Sequence, residues 1–449
     1  MTKTGRNKDL AAIDGKRFSM DGVMTALTVV LLLVVVVIPV VSIIYNAFFF
    51  QGHFDPKLFS SQLTDAGNLA AMWNTIKIAF WVTLLGTVVG TFYAWLLGRS
   101  DIPAKGLMRA LFNIPYMFPP FLGAMAWDLL LNGRSGYLNK LLMEVFGLST
   151  APVNINTLGG IVFVELSYYF PFVFMQVVSA LERMDPTLEE CARIAGAKQM
   201  TVIRKITLPL VVPAISAGAL LILTTSLAHF GVPSILGFSQ GIYTLPTKIY
   251  AVISRAGGSF EGIRQGAALS IMLVLVVFTA LVIQKKILSS GSYDIIKGKS
   301  MRPTLIKLRG ARIPLLILCI ATLILIVIVP LVMIFLVSLV KAYGLPLIPE
   351  NFTFQNYKRI FAASGTIDSV KNSLFVSIAA GIICMFLGTL IAYVVQKIRP
   401  KGKEVLEVLS VLPYSLPGTV LAIGVILAWS GNILNISLYN TIWIILVAY

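Results

Sequence analysis

Apolar residues in this chain come in long unbroken blocks, not in the short alternations of a half-buried strand or a surface helix. Leu27 to Ile44 carries no charge at all, and about 20 residues rising ~1.5 Å each suffice to cross a hydrocarbon layer. On this pattern helices span near 23–49, 70–97, 107–131, 158–180, 206–230 and 267–284. A second series follows near 313–340, 371–395 and 405–430, and a last span begins at about 438. Alternation then sets 1–20, 98–106, 181–205, 285–312 and 396–404 on one face of the membrane. The expected fold is an all-α polytopic membrane protein.

The two series are copies. Asn74, Gly90, Thr91, Ala94, Lys105, Pro115, Tyr116 and Pro119 recur as Asn372, Gly388, Thr389, Ala392, Lys403, Pro413, Tyr414 and Pro417, always 298 positions on (372 − 74 = 417 − 119 = 298). Pro39 in the first span has a rough counterpart in Pro330. Both copies start from the same face, so the duplication is parallel, about an axis along the membrane normal. The expected organisation is an N-terminal segment 1–20, a first six-helix unit 21–286, a basic linker 287–312 and a second unit 313–449. The alignment sets Tyr449 near Tyr168, part way into a span, so the second unit is expected to be incomplete.

Composition and charge sharpen this picture. The chain is 57% hydrophobic and 12% charged, about half the charge a soluble domain carries. A net charge of +17 invites a nucleic-acid reading. Most of the 36 Lys and Arg, however, fall in the segments that alternation sets on one face, which is the positive-inside bias and points to lipid instead. Those segments, the N-terminus among them, are therefore expected in the cytoplasm. Cys191, Cys319 and Cys384 are placed too unlike one another for a disulfide framework. With His53 and His229 as the only histidines, no metal site or cofactor is expected. A nucleotide-binding loop is also missing: Gly298-Lys299-Ser300 is preceded by Tyr293 where the motif needs glycine.

One loop carries a mechanism. Asp185 and Pro186 are residues that start helices, an oxygen acceptor at the cap and a residue needing no amide proton in the first turn. Glu189 and Glu190 sit in the opening turns, where the helix dipole favours acids. Leu188, Cys191, Ala192 and Ala195 share a small apolar face, and Gly196 ends the helix where a positive φ is cheap. Glu190-Cys191-Ala192, then Gly196, then Ile206-Thr207-Leu208-Pro209 resembles the Glu-Ala-Ala loop of type I binding-protein-dependent ABC importer permeases, with Cys191 where that family usually has alanine. The resemblance implies two tandem six-helix permease units, the second truncated, and a coupling loop 181–209. In it Asp185, Glu189, Glu190, Cys191, Ala192, Gly196, Ile206, Leu208 and Pro209 would seat in a separate cytoplasmic ABC ATPase, a dimer. An extracytoplasmic solute-binding protein would deliver the solute to this subunit of a bacterial inner membrane.

The duplicated layout is similar to the fused permeases of ferric-iron importers, with 2-aminoethylphosphonate and thiamine importers as alternatives of the same machine. An ion-gradient-driven secondary transporter is the alternative of another class; it would not need the docking loop. Glu165, with Tyr168 and Tyr169, is a candidate for lining the route, since intramembrane acids face a cavity or a partner; an interhelical hydrogen bond is the competing reading. No catalytic partner for Glu165 is evident at its depth. Asp128 and His229 read as interfacial groups, and Lys77 as a snorkelling one. Gly86 and Gly90 form a small-residue pair for close helix approach. Pro115, Pro119 and Pro120, with Pro413 and Pro417, predict a break in the third and ninth spans.

Overall fold

The computed structural model describes residues 20–185, 187–289, 305–431 and 436–449. The expected segment 1–19, Pro186 at the loop-helix start, the Gly298-Lys299-Ser300 run and most of the basic linker lie outside these residues. Helices dominate: α1 Met20–Phe48, α2 Ala66–Arg99, the pair α3 Lys105–Met117 and α4 Pro120–Leu131, and α5 Leu158–Arg183. Then follow the short α6 Thr187–Ile194, α7 Gln199–Ala228, α8 Phe260–Gln284, α9 Arg309–Ser338, α10 Ser364–Ile398 and the pair α11 Lys403–Tyr414 and α12 Gly418–Trp429. Among the described residues seven helices are long and apolar enough to cross a membrane, nine if each bent pair counts as one span.

Prolines shape these helices in two repeated ways. Among the described residues four π-turns occur, Leu33–Val37, Ile203–Thr207, Ile324–Ile328 and Val394–Ile398. Each ends two residues before a proline: Pro39, Pro209, Pro330 and Pro400. Proline has no amide proton, and its ring collides with the carbonyl four residues back. Widening the turn relieves that collision, and the residue before each proline donates to a carbonyl five back, as Ile38 does to Leu33. The second device is the sharp break. The α3–α4 pair bends by 91° and the α11–α12 pair by 108°, where the proline pattern predicts interrupted spans. Phe118 and Leu416, each preceding a proline, are both extended, as the pyrrolidine ring of the next residue requires.

The duplication is visible in the backbone. Lys105 and Lys403 open their helices after left-handed Ala104 and Gly402, and Pro120–Leu131 corresponds end for end with Gly418–Trp429 at the same offset, 298 (418 − 120 = 429 − 131). Compactness divides the chain differently from the duplication. One unit is Met1–Asp65 with Ile249–Val274 and Arg359–Tyr449; the other is Ala66–Lys248 with Leu275–Lys358. Each unit thus takes segments from both copies.

The larger unit is built on α2, α5 and α7. A Cβ at Gly90 of α2 would come within 2.7 Å of the Phe170 carbonyl oxygen, and one at Gly218 of α7 within 2.5 Å of Val173 Cα. Two helices therefore press on the same turn of α5, and Gly86, facing Ile222 at 2.8 Å, completes the expected small-residue pair. Tyr93, Phe112, Phe170 and Phe174 fill the centre. Helix α9 joins this core through Cys319, Leu323 and Ile326, and Tyr93 shares a 2.6 Å hydrogen bond with Thr322. In the other unit α1 packs on α12, where a Cβ at Gly424 would meet the Pro39 carbonyl oxygen at 2.8 Å. Arg264 of α8 there pairs with Glu261 at 3.2 Å and lies 4.3 Å over the Phe50 ring.

Candidate functional site

The loop between α5 and α7 is a two-turn helix with polar brackets at each end. Asp185 accepts hydrogen bonds from the Thr187 amide at 2.9 Å and the Thr187 hydroxyl at 2.7 Å. These bonds hold the Asp185 carboxyl below its ordinary value, because they favour the charged form. At the other end Gly196 adopts φ +82°, and the Ala197 amide reaches back to the Ala192 carbonyl at 2.9 Å, closing the helix in the left-handed way glycine allows. Among the described residues nothing lies within 4 Å of a Cβ built on Gly196.

The helix divides into a held side and a presented side. Glu189 is buried and Leu188, Ala192 and Arg193 are half-buried, while Glu190, Cys191, Ile194 and Ala195 are exposed. Ile194 stands 86% exposed, an unusual position for a large apolar side chain on a short, capped helix. Beyond the helix Ile206 and Pro209 are half-buried and Leu208 is exposed. Pro209 stands second in the helix that resumes after the Ile203–Thr207 π-turn.

Glu189 departs from its reading as an acid placed for the dipole. Its carboxylate turns inward, accepts a 2.6 Å hydrogen bond from Thr207 Oγ1 and lies 3.3 Å from Nη2 of Arg99, the last residue of α2. Arg193 Nη2 approaches the other carboxylate oxygen at 3.8 Å. Sequence reading missed Arg99 and Thr207. Arg99 counted only as one of many positive loop charges, and a signal for it lay in the repeat, which places Lys397 at the same 298 offset (397 − 99). Beside this cluster Arg109 donates to the Leu97 carbonyl at 3.1 and 2.8 Å and pairs with Glu182, tying the foot of α3 to those of α2 and α5.

Glu165 is fully buried. Ser226 donates to its Oε2 at 2.5 Å and His229 Nδ1 lies 2.9 Å from its Oε1. Tyr169 stacks edge-on to the His229 ring at 5.5 Å, and the Tyr168 hydroxyl lies 2.2 Å from where a Gly123 Cβ would stand. One expectation is corrected here. His229 is not a separate interfacial group but a partner of Glu165, which thus has polar company at its depth. That company is not arranged for nucleophilic catalysis, because the Ser226 hydroxyl donates to the carboxylate and not to the imidazole. Asp128 likewise accepts from Asn132 at 2.9 Å and Asn156 at 2.8 Å. The three cysteines are free thiols, Cys191 and Cys384 exposed and Cys319 buried. Among the described residues no group of three or more His, Cys, Asp or Glu could hold a metal ion.

Residues 78–290 match the family model of the binding-protein-dependent transport system inner membrane component. A molybdenum transport system permease protein of Escherichia coli is 31% identical over 45% of this chain and 86% of its own length. A putative ferric transport system permease protein of Haemophilus influenzae is 27% identical over 96% of this chain. The chain spans 66% of the length of that relative. Among solved structures, a bacterial ABC transporter importing the acidic polysaccharide alginate overlays with a TM-score of 0.48 at 17% identity, over 62% of this chain and 99% of that one.

Proposed function

Because the chain belongs to the binding-protein-dependent transport system inner membrane components, multi-pass permeases, we propose that it is the translocating subunit of an ABC importer whose 181–209 loop docks on a separate cytoplasmic ATPase. The exposed face of α6 carries the reading: Cys191, Ile194 and Ala195 are presented outward from a helix whose other side is fixed by a buried carboxylate. A small apolar knob fits a groove on a partner. On this reading Glu190 and Gly196 set the docked geometry, and Ile206, Leu208 and Pro209 carry the motion into α7. An extracytoplasmic binding protein delivers the solute, the N-terminus is cytoplasmic, and the two copies enclose the route by alternating access.

Cys191 supplies the test. In inside-out vesicles of the full-length protein, maleimide labelling of Cys191 should fall severalfold when the ATPase is added, with Ile194→Glu abolishing the protection. Equal labelling with and without the ATPase would remove the docking reading.

For the cargo we infer ferric iron. The support is the putative ferric permease of Haemophilus influenzae, which aligns with 96% of this chain; the molybdenum permease aligns with less than half. A putative 2-aminoethylphosphonate permease of Salmonella typhimurium is 29% identical over 41% of the chain, and that solute is the second reading. Metal and phosphorus analysis of the captured binding protein separates them. Glu165, with Tyr168 and Tyr169, is closed off in this conformation, and we place it on the route in the open one. Glu165→Gln keeps the shape of the pairing but not its charge, so uptake should drop several-fold at unchanged melting temperature. Unchanged uptake would return Glu165 to holding α5 against α7.

A further inference from the structure

The Arg99 side chain is 1% exposed, yet none of its three nitrogens makes a hydrogen bond of acceptable geometry among the described residues. Its compensation is the charge of Glu189 at 3.3 Å. A buried guanidinium left with idle donors is costly and is retained only where the surroundings hold it. The surroundings here are four separate elements. Arg99 ends α2; Glu189 belongs to α6; Thr207, bonded to the same Glu189 oxygen, closes the π-turn at the foot of α7. The backbone of Arg99 adds the fourth: its carbonyl accepts from the Ile306 amide at 2.8 Å, the Asp101 amide donates to the Ile306 carbonyl at 3.2 Å, and Asp101 Oδ1 accepts from the Leu308 amide at 3.0 Å. That clasped segment leads directly into α9.

We propose that Arg99 is the positioning residue that converts displacement of the α6 helix into movement of α2 and of the α9 span, through its buried charge pair with Glu189 and its backbone clasp on residues 306–308. This rests on the importer reading above and adds its transmission. Displacing α6 moves the Glu189 carboxylate. Because that carboxylate is the sole counter-charge within ion-pair distance of the buried Arg99 among the described residues, α2 must follow or leave a charge unpaired in an apolar site. Thr207 takes the foot of α7 along on the same oxygen. A cleft of about 190 Å³ lies beside Thr207, lined by Thr91, Trp95, Leu181 and Ile203 among others. Since Arg99 uses its charge and not its planar fork, a lysine meets the same requirement, and the repeat carries Lys397 at the corresponding position.

The test uses the full-length permease with its own ATPase and binding protein, reconstituted in vesicles. Parent, Arg99→Met, Arg99→Lys and the exchanged pair Arg99→Glu with Glu189→Arg are compared. Two quantities are read: protection of Cys191 from maleimide by the ATPase, and the fold stimulation of ATP turnover by the binding protein as isolated in its loaded form. Arg99→Met should keep the protection and lose stimulation by roughly tenfold, within the usual range of coupling between sites. Arg99→Lys should keep most of both, and the exchanged pair should recover more than half of the loss. Stimulation in Arg99→Met equal to the parent overturns the proposal, as does Arg99→Lys uncoupling as fully as Arg99→Met. If Arg99→Met does not insert, the lysine and exchanged variants decide. Absence of Cys191 protection in the parent defeats the docking reading itself and this inference with it, an outcome distinct from uncoupling with protection intact.

Discussion

Gly196 stands at φ +82° with open space around it, so its role in holding α6 is conformational and not steric. Among the described residues a Cβ there meets no neighbour; it meets only its own backbone, at ~1–2 kcal/mol for an L-residue in the left-handed region. Gly196→Ala should therefore speed hydrogen exchange of the 187–194 amides by about tenfold, and Gly196→Val, whose branched Cβ is less tolerated in that region, by somewhat more in the isolated permease. If valine is far worse than alanine in the assembled importer but not in the isolated permease, the glycine is needed by the docked partner instead. The opposite end of the helix answers to pH. The Asp185 pKa is depressed in the folded chain by its Thr187 hydrogen bonds. The stabilisation is therefore complete above the unfolded carboxylate value, ~3.9, and is lost as pH falls through the lower folded value. Exchange of the α6 amides, corrected for its intrinsic pH dependence, should show an acid-side rise that Asp185→Asn abolishes. A rise of the same size in Asp185→Asn would assign the pH response to another group.

At the scale of elements, prolines set the phase between one helix and the next. Pro209 follows the Ile203–Thr207 π-turn, and a π-turn holds one residue more than an α-turn, so it offsets everything before it by roughly 100°. Thr207 bonds Glu189 from inside that turn, and the facing of α6 depends on the offset. Pro209→Ala restores an amide proton and lets the turn close in α register. The variant should insert and melt within a few degrees of the parent but lose ATPase protection of Cys191. Retained protection would show that the phase is fixed by packing and not by the proline. The apolar blocks made most spans legible in the sequence, and the prolines made the breaks legible. The π-turns were not, because their signature is a single proline inside an apolar run, indistinguishable by hydropathy from an ordinary kink. The candidate site was half legible. Local grammar gives the cap at Asp185 and the stop at Gly196, but the apolar face it predicts is split: Cys191 and Ala195 are presented, Leu188 and Ala192 are half-buried, and Ile194, outside that face, is 86% exposed. The inward turn of Glu189 depends on Arg99, ninety positions earlier (189 − 99), and the pairing of Glu165 with His229 on sixty-four (229 − 165). No periodicity along one helix carries such information.

At the scale of the whole chain, the duplication and the compact units cut the molecule along different lines. The repeat runs copy by copy at an offset of 298, yet each compact unit draws on both sides of the linker: 66–248 with 275–358 in one, 1–65 and 249–274 with 359–449 in the other. In the larger unit the Tyr93–Thr322 hydrogen bond and the seating of Cys319, Leu323 and Ile326 in the aromatic core hold the two sides together. In the other unit the press of α1 on Gly424 does the same. Buried side chains of this size contribute ~1.5–3 kcal/mol each in water. In lipid the equivalent gain comes from close packing, which glycine contacts of this kind supply. Covalent continuity through 290–304 should then be dispensable once the chain has folded. With a specific protease site placed in 290–304 and cut after purification in mild detergent, the two fragments should co-elute as one species of unchanged size. They should part only when α9 is weakened, for instance by Cys319→Arg, which forces a charge into a fully buried site. Separation of the fragments on cutting alone would mean that each copy packs by itself and that the exchange of first spans between the copies contributes little to holding the molecule together.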